Sequence, residues 1–416
     1  MKNDIKKNGK TFSEETRKIA EEAYKKCVEK FGIYMENYKG TPYDVDASID
    51  GNYLNNCFKN PFKNSDCWTA SMITGLAPLY YRTEKNTALL DWADKFYEHY
   101  SDKIYDNPTL DTMHDLGFLY SPYCVAMYQI TGDKKYRDVA LKAADELAKR
   151  FHIKTGCIDA WGNMTFQYVK RPVRIIIDTL MNLPLLLWAW METNHSFYVD
   201  VVESHINIVK KYLLREDGSV AHQFIFDRKT GEVIGENNSC GFANGSWWAR
   251  GTAWAIYGLA IVARYLNRRC EFRYLSGEYH SIAEKLVDNY INALGEGKYV
   301  PIWDFRLPKD TPAKSCGSVP PWDETKIENC KYNVDSSACA LVACGILELS
   351  KLKENKKHIE FMENSINVLC REYFNDDTNI PGILKMQTGN GWYSLFGDYY
   401  FVEALQVYLN DTQTCW

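Results

Sequence analysis

Apolar residues recur along this chain at helical spacing, i, i+3, i+4 and i+7, far more often than they alternate. Thr11-Phe12-Ser13-Glu14-Glu15 carries a capping-type signal and opens a first helix that runs to about Phe31. Further helical patterns read at about 67–83, 87–104, 113–131, 134–151, 178–193, 196–213, 247–267, 278–293, 335–351, 354–373 and 397–409. Strand-like alternation is confined to short pieces near Val220–Phe226 and Val233, flanking the turn Asp227-Arg228-Lys229-Thr230-Gly231.

These helices are of two kinds, and the kinds alternate. Lys134–Arg150 and Asn355–Cys370 carry charge on one face, whereas Leu116–Ile130, Thr252–Ala263 and Ala338–Leu349 are apolar nearly all round and rich in small residues. A helix without a polar face must be covered on every side. The apolar helices begin at polar or aromatic clusters: Cys67-Trp68-Thr69, His114-Asp115, Asp178, Ala249-Arg250-Gly251, Asp335-Ser336-Ser337 and Gly397-Asp398. The pattern predicts an all-α fold of six helical hairpins closed into a ring, an (α/α)6 barrel, with the apolar helices inside. Their N-termini then converge on one end, where dipoles and loops form a cleft. An open solenoid is the competing arrangement, but its repeats are usually uniform. Here the inner starts are unevenly spaced, with long insertions near 215–247 and 295–334.

A length of 416 residues gives two domains as the first expectation. No linker or charge run divides the chain, so residues 1–416 read as a single catalytic domain. The Pro-, Lys-, Asp- and Glu-rich loop at about 305–333 reads as a rim of the cleft. The formal net charge is −5, too balanced for a nucleic-acid or membrane-surface binder. The apolar run Ile175–Trp190 is interrupted by Asp178, Asn182 and Pro184 and is too short to span a bilayer. The 13 cysteines show no C-x-x-C pair and no zinc-site spacing, and Met1–Lys10 has no apolar signal core. Both features point to a reducing compartment, the cytoplasm.

Aromatic residues change this picture more than charge does. The chain carries 29 Tyr, 18 Phe and 12 Trp; most read as core, but those beside polar groups are placed to stack on sugar rings. Asp115, in Thr112-Met113-His114-Asp115-Leu116-Gly117-Phe118, is either a helix cap or a functional acid. Asp178 follows Arg174-Ile175-Ile176-Ile177, and an acid in such a run is either capped or functionally tuned. Two such acids at one end of a barrel suit acid/base work on a sugar. Trp247-Trp248-Ala249-Arg250-Gly251-Thr252-Ala253-Trp254 joins stacking surfaces to a cation that can clamp a carboxylate, or is a tightly packed helix start. No G-x-G-x-x-G, Walker loop, H-E-x-x-H or G-x-S-x-G occurs, which removes the support for nucleotide, zinc-protease and serine-hydrolase readings.

Taken together, these segments resemble glycoside hydrolase family 88, the unsaturated glucuronyl hydrolases. The resemblance is carried by His114-Asp115-Leu116-Gly117-Phe118, Ile177-Asp178 through Leu186, Ala249-Arg250-Gly251 through Gly258, Asp335-Ser336-Ser337-Ala338 and Gly397-Asp398-Tyr399-Tyr400. It implies hydration of the vinyl ether in a 4,5-unsaturated glucuronyl oligosaccharide left by a polysaccharide lyase, without metal or other cofactor. Asp178 matches the general acid/base and Asp115 the second essential acid. Trp68, His114, Trp161, His222, Trp248, Arg250 and Trp254 match substrate-contacting positions. The implied partner is a small oligosaccharide, bound by a monomer or homodimer. An unsaturated rhamnogalacturonyl hydrolase, a conventional inverting glycosidase and a non-enzymatic sugar-binding scaffold are the alternatives. The sequence departs from the family at Ser239-Cys240-Gly241, where a sugar-contacting Gln is expected, and at Thr252, where many members have Gln. Both departures bear on substrate preference.

Overall fold

The computed structural model describes residues 4–7, 10–37, 47–48, 50–53, 68–106, 113–162, 171–306, 334–388 and 392–416. The rim loop expected at 305–333 lies outside these beyond Arg306, as do Cys67 and Thr112.

The inner layer contains six helical segments. They are α2 (Ala70–Thr74) continued by α3 (Leu76–Glu84), α6 (Leu116–Tyr120) continued by α7 (Ala126–Thr131), α9 (Leu183–Thr193), α11 (Ala249–Asn267), α13 (Ser336–Leu349) and α15 (Leu395–Asn410). Each packs on the next around a closed ring: α2 on α6, α6 on α9, α9 on α11, α11 on α13, α13 on α15, and α15 back on α2. The outer layer is α1 (Glu14–Asn37), α4 (Thr87–Asp94) with α5 (Tyr97–Asp106), α8 (Lys134–Lys149), α10 (Phe197–Tyr212), α12 (Arg273–Leu294) and α14 (Lys356–Val368). The architecture is the (α/α)6 barrel that the two alternating helix kinds predict.

The division follows the side chains. Every residue of α13 is buried, as is every residue of α15 from Leu395 to Leu409. Outer α8 buries one stripe, with Tyr136, Val139, Ala140, Ala143, Ala144 and Leu147 on it, and leaves its lysines outside. Small residues set the inner spacing. A Cβ on Gly258 would stand 2.6 Å from the Leu180 carbonyl oxygen, and one on Gly117 would stand 2.3 Å from the Asn182 Cα. At the seam, the Gln406 side-chain amide donates to the Leu79 carbonyl (2.6 Å) and to the Tyr24 hydroxyl (3.1 Å), tying the last inner helix to the first hairpin.

Local differences from the sequence expectation have identifiable causes. The helix expected over 67–83 begins at Ala70 and is offset at Gly75, where a Cβ would collide with Pro122 (2.7 Å). The helix expected over 113–131 contains a π-helical turn, Ser121–Val125, beside that same Pro122. The run before Asp178 is a strand: Val173–Ile176 pairs antiparallel with Gln223–Phe226, which pairs with Val233–Glu236. Two of these strands match the alternation near Val220–Phe226 and Val233. The third, Val-Arg-Ile-Ile, is too short to show a period and runs directly into the apolar residues of the following turn and helix, so periodicity did not separate them.

Among the described residues no helix is long and apolar enough to cross a membrane, and nine cysteines, Cys27 to Cys415, are free thiols.

Candidate active site

Asp178 lies in the 3-10 turn Ile177–Met181, between the strand that ends at Ile176 and α9. The strand positions it. The Ile177 N–H donates to the His222 carbonyl (2.9 Å), and His222 directly precedes the paired strand Gln223–Phe226. This pairing brings the two side chains together, with His222 Nε2 3.8 Å from Asp178 Oδ2. The Cys240 N–H donates to His222 Nδ1 (3.3 Å), so Nδ1 carries a lone pair and the ring proton sits on Nε2, facing the carboxyl. Burial drives His222 down to about 3, with the nearby Arg250 charge adding to it, so the ring is neutral at ordinary pH.

Asp178 makes the opposite shift. Burial pushes its carboxyl up to about 7, against weaker opposing effects from a backbone hydrogen bond and Arg250. Its Oδ2 is buried and accepts no hydrogen bond from the protein. It caps no helix: Ile176 stands at the N-cap of its turn.

Asp115 occupies the N-cap position of α6, but its side chain makes no capping bond. His114 Nε2 is 3.3 Å from Asp115 Oδ1, and His114 Nδ1 meets Thr179 Oγ1 at 2.9 Å. His114 is buried, and desolvation, followed by the Arg150 charge, holds it well below the usual imidazole range. A neutral ring that receives the Thr179 hydroxyl proton at Nδ1 presents Nε2–H to Asp115. The Asn182 side-chain oxygen accepts from the Phe118 N–H (2.9 Å), a second bond between the two helix starts. Gly117 permits this approach, since any side chain there would enter the Asn182 backbone. Asp115 and Asp178 therefore sit on two helix starts joined by His114–Thr179 and Phe118–Asn182.

The remaining expected residues divide into a wall and a floor. Trp161 is half-buried, with its ring 6.1 Å from that of His222. Trp248 meets the same imidazole edge-on at 5.3 Å. The Arg250 guanidinium lies between the Trp248 ring (4.9 Å) and the Phe396 ring (5.0 Å). Trp68 is also half-buried and stacks on Phe396 at 5.2 Å. Trp254 is different: it is 1% exposed and packs edge-on against Phe118 (5.1 Å) and Tyr400 (5.5 Å), within the aromatic core.

Several partners were not singled out from the sequence. Asp335 takes the Arg250 guanidinium in a close ion pair and caps α13 through Ala338 N–H (3.1 Å). Its place at an inner helix start was visible, but its pairing across 85 positions was not. Cys240 and Ser239, in the stretch where a sugar-contacting Gln was expected, instead hold His222 Nδ1. Thr179 and Asn182 carried no signal beyond polarity within an apolar run. Among the described residues no three His, Cys, Asp or Glu side chains converge as a metal would require.

Comparison with known proteins places this geometry in a family. The family model described as Glycosyl Hydrolase Family 88 matches residues 45–293. The unsaturated chondroitin disaccharide hydrolase of Streptococcus pneumoniae (strain ATCC BAA-255 / R6) is 31% identical over 414 residues, covering 96% of this chain and 94% of its own. The unsaturated glucuronyl hydrolase of Bacillus sp. (strain GL1) is 32% identical over 355 residues, covering 82% and 86%. The crystal structure of the unsaturated glucuronyl hydrolase from Streptococcus agalactiae superposes with a TM-score of 0.78 at 28% identity, covering 96% of this chain and 94% of that one.

Proposed function

The chain belongs to Glycosyl Hydrolase Family 88, and we propose that it hydrolyses unsaturated glucuronyl oligosaccharides derived from glycosaminoglycans, with Asp178 as the proton donor and water activator. The observation that carries the assignment is the Asp178 carboxyl itself. It is half-buried, has a shielded Oδ2 without a hydrogen-bond partner, and is pushed up to about 7 by desolvation. An enol ether is a weak carbon base, so its protonation needs an acid that still holds its proton near neutral pH and is not tied up as a cap.

In this reading Asp178 delivers its proton to C4 of the unsaturated ring, and positive charge develops at C5 and the ring oxygen. The carboxylate then accepts a proton from the water that adds to C5. The product is a hemiketal, which opens and releases the downstream sugar, and Asp178 regains the proton it gave. His222, neutral with its Nε2 3.8 Å from Asp178, lines the acid without hydrogen-bonding it and is not a second acid. Asp115, oriented by His114, holds the negative charge that favours the developing cation. Arg250, supported by Asp335, faces the uronate carboxylate, and Trp68, Trp161 and Trp248 provide apolar faces for the sugar rings. Trp254 supports this wall from below. Residues 1–416 act as one catalytic domain, and the free thiols suit a cytoplasmic setting.

The test is a lyase-generated unsaturated disaccharide followed in the ultraviolet. The expected result is loss of the conjugated double-bond absorbance together with release of the second sugar. Turnover of saturated glycosides alone would overturn the reading in favour of an inverting glycosidase.

A further inference from the structure

A closed ring of helices encloses a lumen, and close packing requires that it be filled. α15 ends at Asn410, and Asp411 turns the chain with a left-handed backbone (φ 51°). Residues 411–416 then run back against α15. Six residues can reach about 20 Å, and the stretch of α15 from Asn410 back to Tyr400 is about 15 Å long. The segment covers that distance: Trp416 stacks on the Tyr400 ring (5.9 Å) and meets Phe118 edge-on (6.2 Å). Thr414, Cys415 and Trp416 are all buried.

Trp416 is fixed there from more than one side. Its Nε1–H donates to Glu403 Oε2 (3.0 Å), and its carbonyl accepts from Arg264, which is itself paired with Glu348. Glu403 also accepts from the Tyr257 hydroxyl (2.5 Å) and the Tyr399 hydroxyl (3.2 Å). A buried indole N–H needs an acceptor, and a carboxyl flanked by phenols supplies one at a fixed place. The anchored ring lies directly beneath the saccharide wall. Phe118, which it touches, also touches Trp254 (5.1 Å) and Trp68 (5.2 Å). Tyr400 joins it to Trp254 by a second route (5.5 Å). Trp68 in turn rests on Phe396, whose face carries the Arg250 guanidinium. A close-packed interior transmits displacement, and about 1 Å of misplacement in a site can cost about 10²-fold in rate.

We propose that Trp416, locked by Glu403, is a positioning residue for the saccharide wall: its ring carries Phe118 and Tyr400 from below and so fixes the Trp68 ring and the Arg250 guanidinium where the substrate meets them. This deepens the proposed function and rests on it for the identity of the saccharide.

The experiment compares wild type, Trp416→Ala and Trp416→Phe on an unsaturated chondroitin disaccharide, at a temperature where circular dichroism shows each protein folded. In Trp416→Ala, kcat/KM is expected to fall about tenfold or more, chiefly through KM. Trp416→Phe keeps a ring in the lumen and should recover to within about threefold of wild type. Added indole, which fits the vacated space, should lower the KM of Trp416→Ala towards the wild-type value. An unchanged KM in folded Trp416→Ala, or indole that raises the melting temperature without lowering KM, reduces Trp416 to core filler and overturns the proposal. Trp416→Leu, which leaves a smaller void, stands in with the same kinetic outcomes if the alanine variant does not fold. A second arm needs no substrate: fluorine NMR spectra of protein labelled with fluorotryptophan, in which Trp68→Phe identifies the Trp68 resonance. That resonance should shift or broaden in Trp416→Ala and return in Trp416→Phe; a resonance that stays in place overturns the proposal. If wild type consumes no unsaturated disaccharide, the proposed function fails, and the fluorine spectra still decide on Trp416.

Discussion

Asp178, half-buried, and Asp335, fully buried, are both acids at inner helix starts, separated around the ring by α11. Asp335 is saturated: it caps α13, accepts the Ser337 hydroxyl and pairs with Arg250. Asp178 caps nothing, and its Oδ2 has no donor. The same residue type at equivalent positions therefore serves opposite ends. An acid surrounded by donors holds the frame, and an acid deprived of them keeps a transferable proton. The wall between them, Trp248 at the N-cap of α11 and Arg250 in its first turn, touches both: Trp248 meets His222 of the Asp178 side, and Arg250 meets Asp335.

The strongest way to break this comparison is to neutralise Asp178 alone. Asp178→Asn is expected to lower kcat by about 10²–10⁴, with circular dichroism and the melting transition retained; a folded variant with normal turnover refutes the assigned role. Asp335→Ala should act on stability, because it strands the Arg250 charge in the interior. The expected loss is about 3–5 kcal/mol in urea unfolding, and a loss below about 1 kcal/mol would show that the ion pair is not structural.

Proton linkage sharpens the contrast. The folded Asp178 pKa of about 7 lies above its ordinary 3.8, so between these values the folded protein holds a proton that the unfolded chain has released. Its contribution to stability is therefore intact below about pH 4, is lost as the pH rises through about 7, and is flat beyond. Asp178→Asn lacks this loss. The variant's stability relative to wild type should rise across that window, by up to about 1.4 kcal/mol per pH unit; melting curves that stay parallel from pH 4 to 8 would contradict the shift. The smallest of these effects is expected at Gly117. Gly117→Ala drives a methyl into the Asn182 backbone, at a cost of roughly 1–3 kcal/mol. It also separates Asp115 from Asp178, so activity should fall at temperatures where the protein remains folded. Full activity in a destabilised Gly117→Ala protein would show that the spacing of the two helix starts tolerates change.

The barrel was legible because it is written in local pattern. Alternation of two helix kinds gives the layers, and an acid inside an apolar run is conspicuous wherever it falls. What was not legible depends on contacts distant in sequence. Whether Asp115 or Asp178 is a cap is decided by the direction of a side chain, and Asp335 is a cap at a position with much the same local signature. The Arg250–Asp335 pair spans 85 positions, and His222 reaches Asp178 only because two short strands pair. Trp254 shares a motif with Trp248 and Arg250, yet it lies deeper along α11 and packs into the core; the motif shows that the residues are neighbours but not how deep each one sits.

The seam between α15 and the first hairpin has a consequence for how the chain is made. The arc from Trp68 to Trp254, with Asp115, Asp178, His222 and Arg250 on it, leaves the ribosome well before Gln406 can bond Leu79 and Tyr24. The earliest inner helices therefore wait, with one apolar flank uncovered, until the last has been synthesised. Contacts of this range are slow to form and leave a nascent chain open to association with others. For this protein, demand for chaperones should concentrate in the interval between synthesis of the reactive arc and arrival of its final helix.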